Sequence, residues 1–198
     1  MQTVVYDLDG KLYINLTNRC SNRCAFCIRV KHDGIGSHKL WLEHEPTAAE
    51  VIDALEKVDL TQYQQVVYCG FGEPIIRLDA IKQISPYLRQ FPVRIRINTN
   101  GQGNLIHGRD ITPELKGLLD IVSISLNAPD AQKYQAVCHS VYGEEAYAGL
   151  LDFAQKCKAQ GLETVLSIVD VMPKKDIEAC KARCNALGIR LRIRHNIA

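Results

Sequence analysis

Three cysteines, Cys20, Cys24 and Cys27, share the short stretch "NLTNRCSNRCAFCIRV" in a C-x3-C-x2-C spacing. Four sulfurs close a structural metal site, and three do not. Thiolates are soft ligands suited to iron–sulfur clusters or zinc. On a cubane [4Fe–4S] cluster, three cysteines leave one iron free to chelate a substrate or cofactor, as catalytic zinc keeps an exchangeable position. Zinc would need a fourth protein ligand, with His32 or His38 the nearest imidazoles, and buried thiols without metal are a third reading. Spacing alone leaves all three open.

A second group of residues narrows them. "CGFGEP", at residues 69 to 74, follows the cysteine loop by one strand–helix unit. Gly70 and Gly72 allow close backbone approach to a ligand, Glu73 brings a carboxylate, and Pro74 restricts the residue before it. A carboxylate facing an open iron could accept hydrogen bonds from the ammonium of a chelating amino acid. Alone, such a turn could be no more than a tight connection.

These groups must be positioned by the elements around them. "TVVYDLDGKLYINLT" reads as a hairpin turning at Asp9-Gly10, its second arm running into the cysteines. Thr47 to Val58 reads as a helix with Thr47 as N-cap, Glu50 as capping-box partner, and Val51, Leu55 and Val58 on one face. Further strands are expected at "QQVVYCG", "VRIRINTNG", "IVSISLNA", "TVLSIVDV" and "IRLRIRHNI". Helices are expected near Leu78 to Gln90, Pro113 to Leu119, Asp130 to Val137, Glu144 to Gln160 and Lys174 to Leu187. The alternation argues for parallel strands with helical crossovers in one domain spanning 1–198.

Side-chain parity selects among such folds. Leu12, Ile14 and Leu16 oppose Tyr13, Asn15 and Thr17; Val93, Ile95 and Ile97 oppose Arg94, Arg96 and Asn98. Ile124 and Leu126 oppose Ser123, Ser125 and Asn127, and Ile189, Leu191 and Ile193 oppose Arg190, Arg192 and Arg194. One face can pack on helices while the other lines a polar cavity, which favours an open, curved α/β barrel with a wet interior. Arginines that merely solubilise an edge suit the last strand better than the central third. In parallel β/α folds chemistry gathers at the strands' C-terminal ends. Those ends carry the three cysteines, "CGFGEP", "NTNG", "SLNAPD", "VDVMP" and "RHN".

Together, "CSNRCAFC", "GFGEP", "TNG" and "SLN" resemble the radical S-adenosylmethionine (radical SAM) superfamily across almost the whole chain. The resemblance implies an open (β/α)6 barrel with an N-terminal hairpin, a [4Fe–4S] cluster and S-adenosylmethionine as cofactors. Cys20, Cys24 and Cys27 would hold three irons, with the methionyl amine and carboxylate on the fourth. Phe26 would lie against the adenine, and Gly70, Gly72 and Glu73 would form the turn that meets the methionine ammonium, with Glu73 the catalytic carboxylate. Asn98 or Asn100, Ser125 and Asn127 would address the ribose or methionyl carboxylate, and Val169 would border the adenine. Phe71-Gly72 departs from the paired glycines of many members. Reductive cleavage of S-adenosylmethionine would give a 5′-deoxyadenosyl radical that abstracts hydrogen, with an external one-electron reductant of flavodoxin or ferredoxin type. A finer resemblance, to small radical SAM proteins associated with TatD-type hydrolases, implies a hydrolase partner.

Other functions stay open on sequence: glycyl-radical activation, modification of a small heterocycle, or a noncatalytic metal-binding or electron-transfer role. The composition, 46% hydrophobic and 23% charged with a net charge of +2, is that of a globular protein without whole-surface attraction to nucleic acid or membrane. No apolar run reaches the ~18 residues of a membrane span, and Asp7 and Asp9 lie where a signal peptide would be apolar. A cytoplasmic protein with reduced thiols is expected. Cys180 and Cys184 sit at i, i+4, with Cys138 and Cys157 before them, and are either an auxiliary cluster or ordinary buried thiols. Cys69 is expected to pack. The connection from Lys31 to His44, with Trp41, is expected to be a lid or a surface excursion, and His195 a residue of the site mouth or of the exposed terminus. Nothing follows the sixth strand to close the barrel, so its open side is expected to receive a macromolecular substrate or a partner. Arg94, Arg96, Arg190, Arg192 and Arg194 would hold phosphate or carboxylate groups there.

Overall fold

The structure, a computed structural model, describes residues 2–195. Strands β1 (Val5–Leu8) and β2 (Lys11–Ile14) form the expected hairpin. Both turn residues, Asp9 (φ 49°) and Gly10 (φ 69°), take the positive φ that a two-residue turn between twisted strands requires. A small hairpin, β3 (Gly34–Ile35) and β4 (His38–Lys39), precedes α1 (Ala48–Leu55). Then come β5 (Gln65–Tyr68), α2 (Leu78–Leu88), β6 (Arg94–Thr99), α3 (Gly103–His107), α4 (Thr112–Leu115), β7 (Ile121–Ser125), α5 (Ala131–Cys138), α6 (Glu145–Ala159), β8 (Glu163–Val169), α7 (Lys174–Leu187) and β9 (Arg190–Arg194). The capping box at Thr47 and Glu50 is formed, and Asp130 caps α5 by accepting from the Lys133 N–H. α3 was not expected, and the helix anticipated at Pro113 to Leu119 is the single turn α4. The last expected strand ends at Arg194; its continuation through 196 and 197 lies outside the described residues.

The main sheet runs β1-β2-β5-β6-β7-β8-β9, parallel from β2 onward, and does not close on itself among the described residues. This is the open six-stranded parallel barrel with an N-terminal hairpin. Ile14, Val66, Tyr68, Ile95, Ile97, Val122, Ile124, Leu166 and Ile168 project to one side and share the core with Val51, Leu55, Ile81, Ile84, Leu150 and Phe153 of the helices. Each fully buried large side chain contributes about 1.5–3 kcal/mol. The alternate positions, including Tyr13, Arg96, Asn98, Ser123, Ser125 and Ser167, take no part in that core and line the concave face. No helix among the described residues is long and apolar enough to cross a membrane.

The Lys31 to His44 connection, expected as a lid or a surface excursion, is tied to the body of the protein at its C-terminal part and exposed or half-buried before it. The Asn15 amide donates to the Leu40 carbonyl (2.8 Å), and the Asn18 side chain both donates to and accepts from the Leu42 backbone (2.8 and 3.1 Å). Leu40 is buried with Tyr6 and Phe71 in a small separate cluster, and Trp41 meets the Phe71 ring edge-on at 5.1 Å. Phe71, the departure from paired glycines, is thus the side chain that roots this connection.

Candidate active site

The cysteine loop leaves β2 and crosses the C-terminal end of the sheet. Its backbone is held from outside: the Arg23 and Ala25 N–H groups donate to the carbonyls of Cys138 and Val137 at the end of α5, both at 2.9 Å. Val141 N–H in turn donates to the Ser21 carbonyl at 2.9 Å. The Arg29 guanidinium draws in the Asn18 (3.0 Å), Phe71 (3.4 Å) and Asn22 (3.4 Å) carbonyls. All three thiols of the loop are half-buried and free of disulfides. Burial pushes the Cys20 thiol up to about 12, with the Glu73 carboxylate adding to the rise. Cys24 is lowered by a hydrogen bond from the Cys138 thiol, which is itself raised by that contact and by burial.

The glycine turn is built against this loop. A Cβ on Gly72 would lie 2.3 Å from the Thr17 carbonyl oxygen and 2.5 Å from that of Arg19, and one on Gly70 would lie 1.9 Å from Asn15 Oδ1. The missing side chains therefore admit the loop itself, where the sequence suggested a ligand. Glu73 N–H donates to the Arg19 carbonyl at 2.7 Å. The Glu73 carboxylate, only 3% exposed, accepts from the Ile75 N–H (3.0 Å) and the Asn100 N–H (2.6 Å). Burial still raises it to about 7. It ties the end of β5 to the end of β6, with the Thr99 hydroxyl beside it as a further partner.

Asn98 and Asn100, alternatives in the sequence, have separate surroundings. Asn100 donates from Nδ2 to Ser21 Oγ at 2.8 Å and lies 4.0 Å from Cys20 Sγ. Asn98 faces the barrel interior, where it accepts from Arg96 Nε at 2.8 Å. Beyond Asn100 lies a residue that sequence reasoning passed over. Gln102, fully buried, accepts from Ser21 Oγ (2.7 Å) and Ser140 Oγ (3.1 Å), and donates to Asn22 Oδ1 (2.8 Å) and Tyr134 Oη (3.0 Å). Ser21 and Asn22 stand between Cys20 and Cys24, so one buried network joins the cysteine loop to the Glu73 turn.

Phe26 opens onto an apolar cavity of about 260 Å³ between α5 and the segment after β8, with Ala128, Pro129, Val137, Val171 and Met172 on its walls. Val169, expected on this border, is buried at the end of β8; the apolar wall comes from the residues that follow. Ser125 ends β7 opposite Ser167. Asn127 lines the cavity in a left-handed conformation (φ 51°), and its buried Oδ1 has no protein partner. Asparagine is among the few side chains that take this conformation readily.

The remaining candidates separate. Cys157, Cys180 and Cys184 are core thiols on α6 and α7; Cys138 is apart from them, against Cys24. Cys69 is raised by burial on the concave face. His195 is exposed and its Nδ1 lies 2.7 Å from Asp170 Oδ2. His32 is exposed, and His38 lies beside the Tyr6 ring, 3.9 Å from Asp7. Among the described residues no three His, Cys, Asp or Glu side chains converge on one ion. Three thiols serving three different irons need not converge so closely. The donor set, the orphaned Asn127 oxygen and the apolar cavity beside Phe26 fit a [4Fe–4S] cluster with a nucleoside-bearing ligand next to it.

The sequence profile described as "Radical SAM superfamily" matches residues 14–184. The chain belongs to the radical SAM superfamily. It is 31% identical over 196 residues to a GTP 3′,8-cyclase of Corynebacterium glutamicum, covering 91% of this chain and 47% of that one. It is 27% identical over 154 residues to a pre-heme d1 synthase of Dinoroseobacter shibae, covering 77% and 34%. The chain thus spans about half or less of these relatives. Streptococcus suis SuiB bound to S-adenosylmethionine superposes with a TM-score of 0.72 at 16% identity, covering 96% of this chain and 41% of that one. Native anSMEcpe with bound AdoMet gives 0.67 at 12%, covering 93% and 50%. Radical SAM enzymes use a [4Fe–4S] cluster and S-adenosylmethionine and draw electrons from an external reductant.

Proposed function

We propose that this protein reductively cleaves S-adenosylmethionine and directs the resulting radical to hydrogen abstraction from a substrate. The observation that carries the reading is the single network running from Ser21 beside Cys20, through Asn100, to the Glu73 carboxylate, next to an apolar cavity floored by Phe26. Cys20, Cys24 and Cys27 would hold the cluster, which supplies the electron that splits the sulfonium into methionine and a 5′-deoxyadenosyl radical. Gly72 and Glu73 would receive the methionine ammonium; a carboxylate raised to about 7 by burial is drawn back to its charged form by an arriving cation. Asn100 and Ser125 would address the ribose or methionyl carboxylate. Phe26 would cover one adenine face, and the unpartnered Asn127 Oδ1 would accept from a ribose hydroxyl or the adenine amino group. Val169 would back that pocket from β8, and Asn98 would border the substrate space.

An external flavodoxin or ferredoxin would deliver the electron. The link to a TatD-type hydrolase rests on the "NLTNRCSNRCAFCIR" opening and the Gly-Phe-Gly-Glu-Pro turn alone. SuiB is described bound to its precursor peptide SuiA, which makes a peptide one reading of a macromolecular substrate at the open side. The test is anaerobic reconstitution, then dithionite and S-adenosylmethionine. The expected product is 5′-deoxyadenosine, absent in Cys24→Ala. A wild-type protein with a full cluster complement that forms none would exclude the enzyme and leave a noncatalytic metal or electron-transfer role.

A further inference from the structure

At the end of the barrel opposite the cysteines, the N-terminal ends of the strands enclose a second cavity of about 260 Å³. Lys11, Arg94, Arg96, Arg190 and Arg192 line it, with Glu163 the one carboxylate among its lining residues. Glu163 is shared by Arg94 (2.7 Å) and Arg190 (3.5 Å). Among the described residues no carboxylate lies within ion-pair distance of Arg96 or Arg192, and Lys11 reaches only the Asp9 carbonyl at 3.5 Å. Edge solubility does not account for the group, because Arg96 stands on β6, in the middle of the sheet, and faces the same space.

We infer that this cavity binds the anionic end, phosphate or carboxylate, of a small substrate that lies along the barrel axis with its reacting carbon toward the cysteine end. Register supports the alignment. Arg190, Arg192 and Arg194 pair with Val165, Ser167 and Val169 of β8, and Ser167 pairs with Ser125 of β7. Alternate residues of a strand are about 6.6 Å apart, so the backbone positions of Arg190, Arg192 and Arg194 span roughly 13 Å along β9, with Arg192 in register with Ser167 and Ser125. Arg194 Nε is buried without a partner at the upper end. Gln65 Oε1, buried without a partner in the cavity, accepts from a hydroxyl on the same ligand. Burial and the neighbouring Arg192 guanidinium lower Arg96, and burial leads the same shift in Arg194. Like charges gathered in this way are relieved by an anion.

The substrate orientation rests on the proposed reaction; the anion site does not. Calorimetry on the reconstituted holoprotein, with inorganic pyrophosphate and citrate as probes, separates the two sources of negative charge. Pyrophosphate binding supports a phosphate-bearing ligand, and citrate binding alone supports a polycarboxylate. Either affinity is expected to fall about tenfold in Arg192→Gln and in Lys11→Gln, and to weaken with added salt. Absence of binding by both probes at millimolar concentration, or equal affinity in wild type and both variants, overturns the inference. S-adenosylmethionine binding in the same samples is read independently: its loss in wild type sinks the reaction and leaves the anion site standing.

Discussion

Gln102 has no exposed surface, and both ends of its amide are in use: Oε1 accepts two hydroxyls while Nε2 serves Asn22 and Tyr134. Replacing it with leucine keeps the volume and strands those partners. A buried polar group left unpaired costs about 1–3 kcal/mol, so Gln102→Leu is expected to lose about 2–5 kcal/mol in urea unfolding. Iron content should fall with it, since Ser21 and Asn22 hold the loop between Cys20 and Cys24. Ser140→Ala, which removes the hydroxyl's bonds to Gln102 and from the Tyr142 N–H, should lose about 1–2 kcal/mol and keep its iron. Full iron and an unchanged unfolding midpoint in the leucine variant would defeat this role. The cysteines and Glu73 were legible because their spacing is chemically unusual. Gln102 was not, because a glutamine after "TNG" carries no pattern and its partners Tyr134 and Ser140 meet it only through the fold.

At the scale of elements, the β5 turn and the cysteine loop are one piece of construction. Gly72→Ala would press a methyl group onto two backbone carbonyls, which cannot swing aside as a side chain can. The loop must move, and we expect a stability loss of about 1–3 kcal/mol with a several-fold drop in cluster occupancy. Gly36→Ala is the control: its φ of +57° makes it mildly strained, yet nothing lies within 4 Å of the added carbon. Its iron content should stay at the wild-type level, and equal iron in both variants would refute the packing argument. The parallel order and two-faced strands could be read from alternation, because a period of two separates helix-facing from cavity-facing residues. The β3–β4 connection could not, since two-residue strands have no period and the anchors, Asn15, Asn18 and Phe71, belong to other segments.

Over the whole molecule, the two ends of the barrel divide the work: loops at the C-terminal ends gather thiols, amides and an apolar cavity, while the N-terminal ends gather positive charge. The alternation of arginine and apolar residues in β9 reads in sequence as an edge or as an anion-holding face at the open side; the fold instead gathers Arg94, Arg96, Arg190 and Arg192 at the strands' N-terminal ends. The carbonyls of Val137 and Cys138, which fix Ala25 and Arg23, bear on how the metal centre is assembled. In zinc fingers the metal supplies the folding free energy and the apo chain is disordered. Here two backbone hydrogen bonds to the end of α5 hold the loop without involving any metal ligand. Iron-free protein is therefore expected to keep its far-ultraviolet circular dichroism and to exchange the Arg23 and Ala25 amides slowly. Exchange of those two amides at the rate of an unstructured peptide would overturn this. Cluster insertion is then expected to resemble docking into a formed loop more than coupled folding, so a chain that loses its iron to oxygen should be refilled without refolding.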